Sequence, residues 1–110
     1  MKTFKLSDMS RGWFIGNFEP TAFKTDSFEV NYRTHPAGES WDYHYHTETT
    51  EINLLVDGLM SFNDIELSPG DIFIVEPWQV SDPIFLKDTT VICVRVPSKN
   101  DKQVFTLSNQ

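Results

Sequence analysis

The 110-residue chain carries 16 acidic and 9 basic side chains, a formal charge of −7 with a pI near 4.7. A field of that sign repels a phosphate backbone and draws divalent cations, so nucleic acid is excluded as a partner class. The length is that of one domain, spanning residues 1–110, and three Trp, three Tyr and nine Phe supply the apolar bulk for a single core.

No apolar run approaches the length of a membrane span, and Met1-Lys2-Thr3-Phe4 leads into polar residues rather than an apolar leader. The only cysteine, Cys93, sits in the apolar run Val91-Ile92-Cys93-Val94, where a buried thiol acting as a small hydrophobe is expected. It has no intramolecular partner for a disulfide. A reducing cytoplasm is the expected location, with no membrane association.

In chain order the sequence predicts short strands bounded by turn residues. The first two candidates are Thr3–Leu6 and Trp13–Phe18, the second ended by Glu19-Pro20. Phe28, Val30 and Tyr32 alternate with Glu29, Asn31 and Arg33, the period of a half-buried strand with its apolar set on the core. His35-Pro36-Ala37-Gly38 then turns the chain, and a histidine before proline in a turn is expected at an exposed or rim position. Ile52, Leu54 and Val56 alternate with the set Glu51, Asn53 and Leu55, and Asp57-Gly58 reads as a hairpin turn answered by Leu59–Phe62. Asn63-Asp64 and Ser68-Pro69-Gly70-Asp71 are further turns. Four apolar residues in a row, Ile72–Val75, imply a strand covered on both faces. Thr89–Val96 is a long strand with Arg95 among apolar neighbours, and Val104–Leu107 predicts a last edge strand. There is no helix of convincing length, no repeat, no glycine-rich phosphate loop and no nucleophile elbow, which excludes several enzyme classes.

The chemistry concentrates between Gly38 and Gly58. Alternate strand residues share a face, so His44 and His46 project together about 6.5–7 Å apart, close enough for two imidazoles to converge on one ion. Thr47-Glu48-Thr49-Thr50 lets the chain reverse and bring the Glu51 carboxylate back beside them. Two imidazoles and a carboxylate suit Fe(II), and equally Zn, Mn or Ni. A chance His-x-His on a merely sticky aromatic strand is the competing reading. Tyr43 and Tyr45 face away from the pair by the same alternation.

The run Gly38, His44, His46, Glu51, Gly58 resembles the first conserved motif of the cupin superfamily at every defining position. That resemblance implies an all-β double-stranded β-helix, or jelly-roll barrel, whose first motif gives His44, His46 and Glu51 to a divalent metal at the barrel's mouth. Small cupins often pair sheets across a two-fold axis, so a homodimer is expected. Counting from Gly70, the positions where the family shows Pro, Gly, His and Asn in its second motif hold Glu76, Trp78, Ser81 and Phe85. The usual fourth ligand is thus replaced by Ser81.

Several further residues are candidates for contact with a small-molecule ligand, a sugar or an organic acid. Asn53 shares the register of Glu51 and faces either the cavity or water. Trp78 either stacks on a ligand or plugs the barrel end. Ser81 points to the cavity and Asp82 away, unless a bulge at Pro83 swaps them and makes Asp82 an oxygen ligand. Arg95, if inward, holds a carboxylate or phosphate; if outward, it pairs with surface acids. Two function classes follow: an enzyme of isomerase, lyase or Fe(II)-oxygenase type, and a non-catalytic binding module with weak or no metal. No dedicated general base is evident in the sequence.

Overall fold

The computed structural model describes residues 1–105 and contains eleven strands in chain order. They are β1 (Trp13–Gly16), β2 (Phe23–Lys24), β3 (Glu29–His35), β4 (Tyr43–His46), β5 (Thr50–Asp57), β6 (Met60–Phe62), β7 (Ile65–Leu67), β8 (Ile72–Val75), β9 (Pro83–Phe85), β10 (Thr89–Val96) and β11 (Lys102–Phe105). Six form one sheet in the order β2-β1-β3-β10-β5-β8. The remaining strands form a two-stranded sheet, β11-β4, and a three-stranded sheet, β7-β6-β9, which an isolated bridge between His44 and Ser81 joins. No helix among the described residues is long and apolar enough to cross a membrane.

The local reasons for these elements are mostly those of turn chemistry. Asn63 and Asp64 both take positive φ, 50° and 67°, and close the β6–β7 hairpin, a geometry that matches the twist of the flanking strands. The Ser68–Asp71 turn is closed twice, by Asp71 N–H to Ser68 O at 3.0 Å and by Ser68 N–H to Asp71 Oδ2 at 2.9 Å. Asp57-Gly58 does something else. β5 pairs with β10 and β8, whereas β6 pairs with β7 and β9, so the expected hairpin is a crossover from one layer to the other. Gly58 is required there: its φ is +103°, and a Cβ would lie 2.3 Å from the Asp88 carbonyl oxygen.

The large sheet has an inverted pattern. On β3 the buried or half-buried row is Glu29, Asn31, Arg33 and His35, while Val30 and Tyr32 lie on the outer face, the reverse of the expected assignment. On β5, Glu51, Asn53 and Leu55 point inward as expected, and Ile52 and Leu54 point out. Register aligns the outer residues into two apolar rows, Ile74–Ile52–Val94–Val30 and Ile72–Leu54–Ile92–Tyr32. Ile72 and Ile74 are 67% and 53% exposed, so β8 is covered on one face only. The period of two was correct for β3, but its polar residues line a cavity and therefore take the inner side.

The compact apolar core is small: Leu55, Met60, Leu67, Phe85 and Val91, with Phe62 and Phe73 packed against it. Other expectations shift as well. Thr3–Leu6 forms no strand, and Leu6–Asp8 is instead a 3-10 turn. The last strand begins at Lys102 and pairs with β4; of the expected Val104–Leu107 span, Thr106 and Leu107 lie outside the described residues.

Candidate functional site

Between the layers lies a cavity of about 560 Å³, whose walls include Asn31, Arg33 and His35 of β3, Glu51, Asn53, Arg95, His44 and the loop from Glu39 to Asp42. A second cavity, lined by His46 and Glu29, adjoins it and shares Trp13, Arg95, Asn100 and Lys102 as common wall.

β4 positions the two histidines. His44 and His46 are almost fully buried, their rings perpendicular with centroids 5.5 Å apart. His46 is fixed from behind: its Nδ1 lies 2.8 Å from Asp101 Oδ1. The same Asp101 carboxylate accepts from Glu48 N–H at 2.7 Å, Thr49 N–H at 2.8 Å and the Thr49 hydroxyl at 3.0 Å. Burial raises that carboxyl's pKa, but these four donors outweigh burial and hold it well below the usual carboxylate range. With Nδ1 engaged, His46 Nε2 is left buried without a partner, 3.6 Å from Glu51 Oε2. His44 Nδ1, Asn53 Nδ2 and Ser81 Oγ are likewise buried and unpartnered. Burial lowers the His44 pKa, so its ring favours the neutral form.

Arg95 points inward. Its Nε donates to Glu51 Oε2 at 2.6 Å, Nη1 lies 3.6 Å from Glu29 Oε2, and the guanidinium carbon stands 4.6 Å over the Trp13 ring. Burial raises the Glu29 pKa more than Arg95 lowers it.

At the other end of β3, His35 is buried and stacked on Phe85 at 4.5 Å and 7°. Its Nδ1 is 2.7 Å from Glu39 Oε2, which also accepts from Trp41 Nε1 at 2.6 Å, while Arg33 Nη2 donates to Glu39 Oε1 at 3.0 Å. Burial raises the Glu39 pKa, but the bonds from His35 and Trp41 outweigh it and the net shift is downward. Burial lowers the His35 pKa more than Glu39 raises it. Both shifts fit one picture, a neutral imidazole donating to an ionised carboxylate.

No family model matches the chain, and no curated protein matches it. Solved structures do. An uncharacterised Klebsiella pneumoniae protein with a double-stranded β-helix domain superposes with a TM-score of 0.65 at 21% identity, over 73% of this chain and 71% of that one. KdgF from Halomonas gives 0.60 at 23% identity over 70% and 76%, and the Streptomyces nucleoside dehydratase Pac13 gives 0.64 at 13% over 77% and 73%. The protein has a cupin fold. The DMSP lyase DddQ from Ruegeria pomeroyi, at TM-score 0.68 and 17% identity, shares it over 89% of this chain but only 52% of its own.

Within this cupin barrel the sequence-selected residues separate into two groups. His44, His46, Glu51, Asn53, Ser81 and Arg95 converge on the interior. Ser81 N–H donates to His44 O at 2.9 Å, so Ser81 borders the histidines as the register argument required. Trp78 and Asp82 stay outside. Trp78 is 65% exposed and stacks on Tyr45 at 5.4 Å, so it neither plugs the barrel nor reaches the cavity. Its φ of +71° follows the backbone that the motif's glycine would adopt. Asp82 lines neither cavity; its backbone N–H donates to Asn63 Oδ1 at 2.9 Å, and β6 and β9 pair without a register shift at Pro83. His35 is not the exposed or rim residue expected, because the turn begins only after it and the ring belongs to the inner row of β3. Asp101 was missed because no local pattern links it to a histidine 55 positions earlier. The spacing His35-x3-Glu39 was visible, but its meaning depends on His35 lying on a strand.

The residues fit a metal in donor type, and the orphaned Nε2 of His46, oriented by Asp101, is the arrangement a ligating histidine takes. Glu51 is the part that must be freed, since Arg95 occupies one of its oxygens. Among the described residues, no group of three or more His, Cys, Asp or Glu is already arranged to hold an ion.

Proposed function

We propose that this cupin binds a small polar molecule, a sugar or organic acid, between its sheets and acts on it by isomerase- or lyase-type proton chemistry. The observation that carries this reading is the inverted large sheet, whose inner row surrounds a cavity of about 560 Å³ with polar side chains. That volume lies within the range of sites enclosing small ligands. Arg11 and Lys102 also line it, and no carboxylate among the described residues pairs with either, which favours a ligand bearing an anionic group. Two of the compared cupin structures are a nucleoside dehydratase and a DMSP lyase, both names for eliminations. The test is ligand-induced thermal stabilisation across sugars, uronic acids and hydroxy acids. Sugar acids should stabilise the wild type, and R11Q/K102Q should lose that response; no stabilisation by any class would refute the reading.

A metal-dependent form of the same reading is favoured by His46, whose buried Nε2 has no protein partner. His44, His46 and Glu51 would hold the ion, which when bound supplies Lewis-acid polarisation or, if iron, dioxygen activation. Elemental analysis of chelator-free protein beside H44A and E51A decides it: near-stoichiometric Fe, Zn, Mn or Ni absent from both variants supports the centre. Absence after reconstitution leaves the cavity side chains to act alone.

We further propose a homodimer formed through the outer face of the large sheet. Its two apolar rows carry no charge, unlike the rest of a chain of net charge −7. A second copy presents the same uncharged surface, as an isologous contact needs.

A further inference from the structure

The interior holds a second group of chemically competent side chains that the cupin motif does not include. We propose that His35 and Glu39 form the proton-transfer pair of this cavity, with His35 Nε2 as the atom that takes up and returns the proton. The inference rests on the small-molecule reading above and supplies the general base that the sequence did not reveal.

Three features of the geometry carry it. The first is orientation: the Glu39 carboxylate receives Nδ1 of His35 at 2.7 Å and is itself fixed by Trp41 and Arg33, so it cannot swing away from the imidazole. A carboxylate so held selects the tautomer with hydrogen on Nδ1, leaving the lone pair on Nε2. The second is immobility, because the ring lies flat against Phe85 and edge-on to Trp41 at 5.3 Å. The third is access. His35 lines the cavity of about 560 Å³, and its Nε2 has no hydrogen-bond partner among the described residues. Nor is it one of the buried unpartnered atoms, in contrast to His46 Nε2. Trp41, which touches His35, also lies 5.8 Å from His44, so the His35–Glu39 pair and His44 border one compartment. An ordinary structural histidine would have both nitrogens satisfied or would point to bulk water.

The step is a proton exchange without redox change. A C–H bond next to a ligand carbonyl breaks, an Nε2–H bond forms, and the electron pair remains on the ligand as an enolate. The imidazolium so formed is stabilised by the Glu39 charge. The imidazolium proton, after exchange with solvent, is then delivered to the neighbouring carbon in an isomerisation, while the adjacent hydroxyl proton passes to the enolate oxygen. In an elimination it goes to the departing hydroxyl oxygen, which leaves as water. No further reactant is needed. Groups facing the imidazole from the surrounding elements are Glu39 and Arg33, with Asp88 nearby through its bond to Ala37 N–H; Thr89 opposes it on β10.

The test uses the full chain, chelated and metal-loaded in parallel. Nitrogen-15 NMR of the imidazoles should show His35 as the neutral Nδ1–H tautomer at pH 7 in both forms; an Nε2–H tautomer overturns the assignment without requiring any variant to fold. Deuterium incorporation from D₂O into pyruvate, D-fructose and D-glucuronate is then followed by proton NMR, with binding of each read by thermal shift. Exchange into at least one should fall about 10²-fold or more in H35Q and less in E39Q, with ligand stabilisation retained. Binding without exchange overturns the proton-transfer role and leaves the binding reading intact. Failure of all three to bind overturns both.

Discussion

Replacing Asp101 by alanine probes how the fold holds the cupin histidines, because one carboxylate carries the register between β4, the turn at Glu48-Thr49 and the start of β11. Four donors lose their acceptor together: His46 Nδ1, the N–H groups of Glu48 and Thr49, and the Thr49 hydroxyl. Thr49 and His46 are 1% and 3% exposed, so water cannot readily replace the lost oxygens. At about 1 kcal/mol net for each bond, and more for an ionised acceptor, the loss is about 4–6 kcal/mol. A small domain has only about 5–15 kcal/mol in total, so Tm should fall by about 17–26 °C. D101N keeps an acceptor but directs N–H groups at N–H donors, and should lose roughly half as much. Urea unfolding followed by tryptophan fluorescence, with nitrogen-15 NMR of His46, reads both effects. A D101A variant within about 1 kcal/mol of wild type, or one whose His46 keeps its tautomer, would refute the reasoning.

R95M should destabilise by about 3–5 kcal/mol, because it leaves the buried Glu51 and Glu29 carboxylates without their cation; the double variant R95M/E51L should recover much of that loss in denaturant titrations. The His35 pKa is lowered by burial, so its neutral form contributes stability that is complete above the unfolded value of about 6.5. That contribution is lost as pH falls from there through the folded pKa, so Tm should decline over this window in wild type and less steeply in H35Q; parallel profiles would contradict it. I52K/I74E should convert the dimer to a monomer in sedimentation equilibrium at unchanged secondary structure, and a monomeric wild type would remove the proposed interface.

Much of the architecture was legible because turns and alternation are local. Ser68–Asp71, Asn63-Asp64 and the full span of β10 lie where the sequence places them. What failed was the assignment of inside and outside. Val30 and Tyr32 look like core residues by period, yet Glu29, Asn31, Arg33 and His35 take the inner face, since a polar-lined interior cavity reverses the rule that apolar residues point inward. The same reversal hid the His35–Glu39 pair. Asp57-Gly58 has hairpin chemistry but sits where a jelly roll changes layers, a choice made by long-range pairing with β10 rather than by the turn residues. At the candidate site, strand alternation places His44, His46, Glu51 and Ser81 as buried neighbours, though among the described residues no three imidazoles or carboxylates are arranged around one ion. Asp101 and the inward course of Arg95 were not decidable, because each depends on a partner more than forty positions away.

β8 has a consequence beyond the fold. It is the terminal strand of the six-stranded sheet, its outer side chains Ile72 and Ile74 are exposed, and its sequence Ile-Phe-Ile-Val contains no charge or proline. Such a segment is a template for strand-by-strand growth into aggregates. The chain flanks it on both sides with acids, Asp71 before and Glu76 after. These positions act as gatekeepers, placing like charges at both ends of any stacked copy. Neutralising the pair as D71N/E76Q, which keeps an Oδ acceptor for the Ser68 N–H, would therefore shorten the time to turbidity on concentration, and low pH would shorten it for the natural sequence as well.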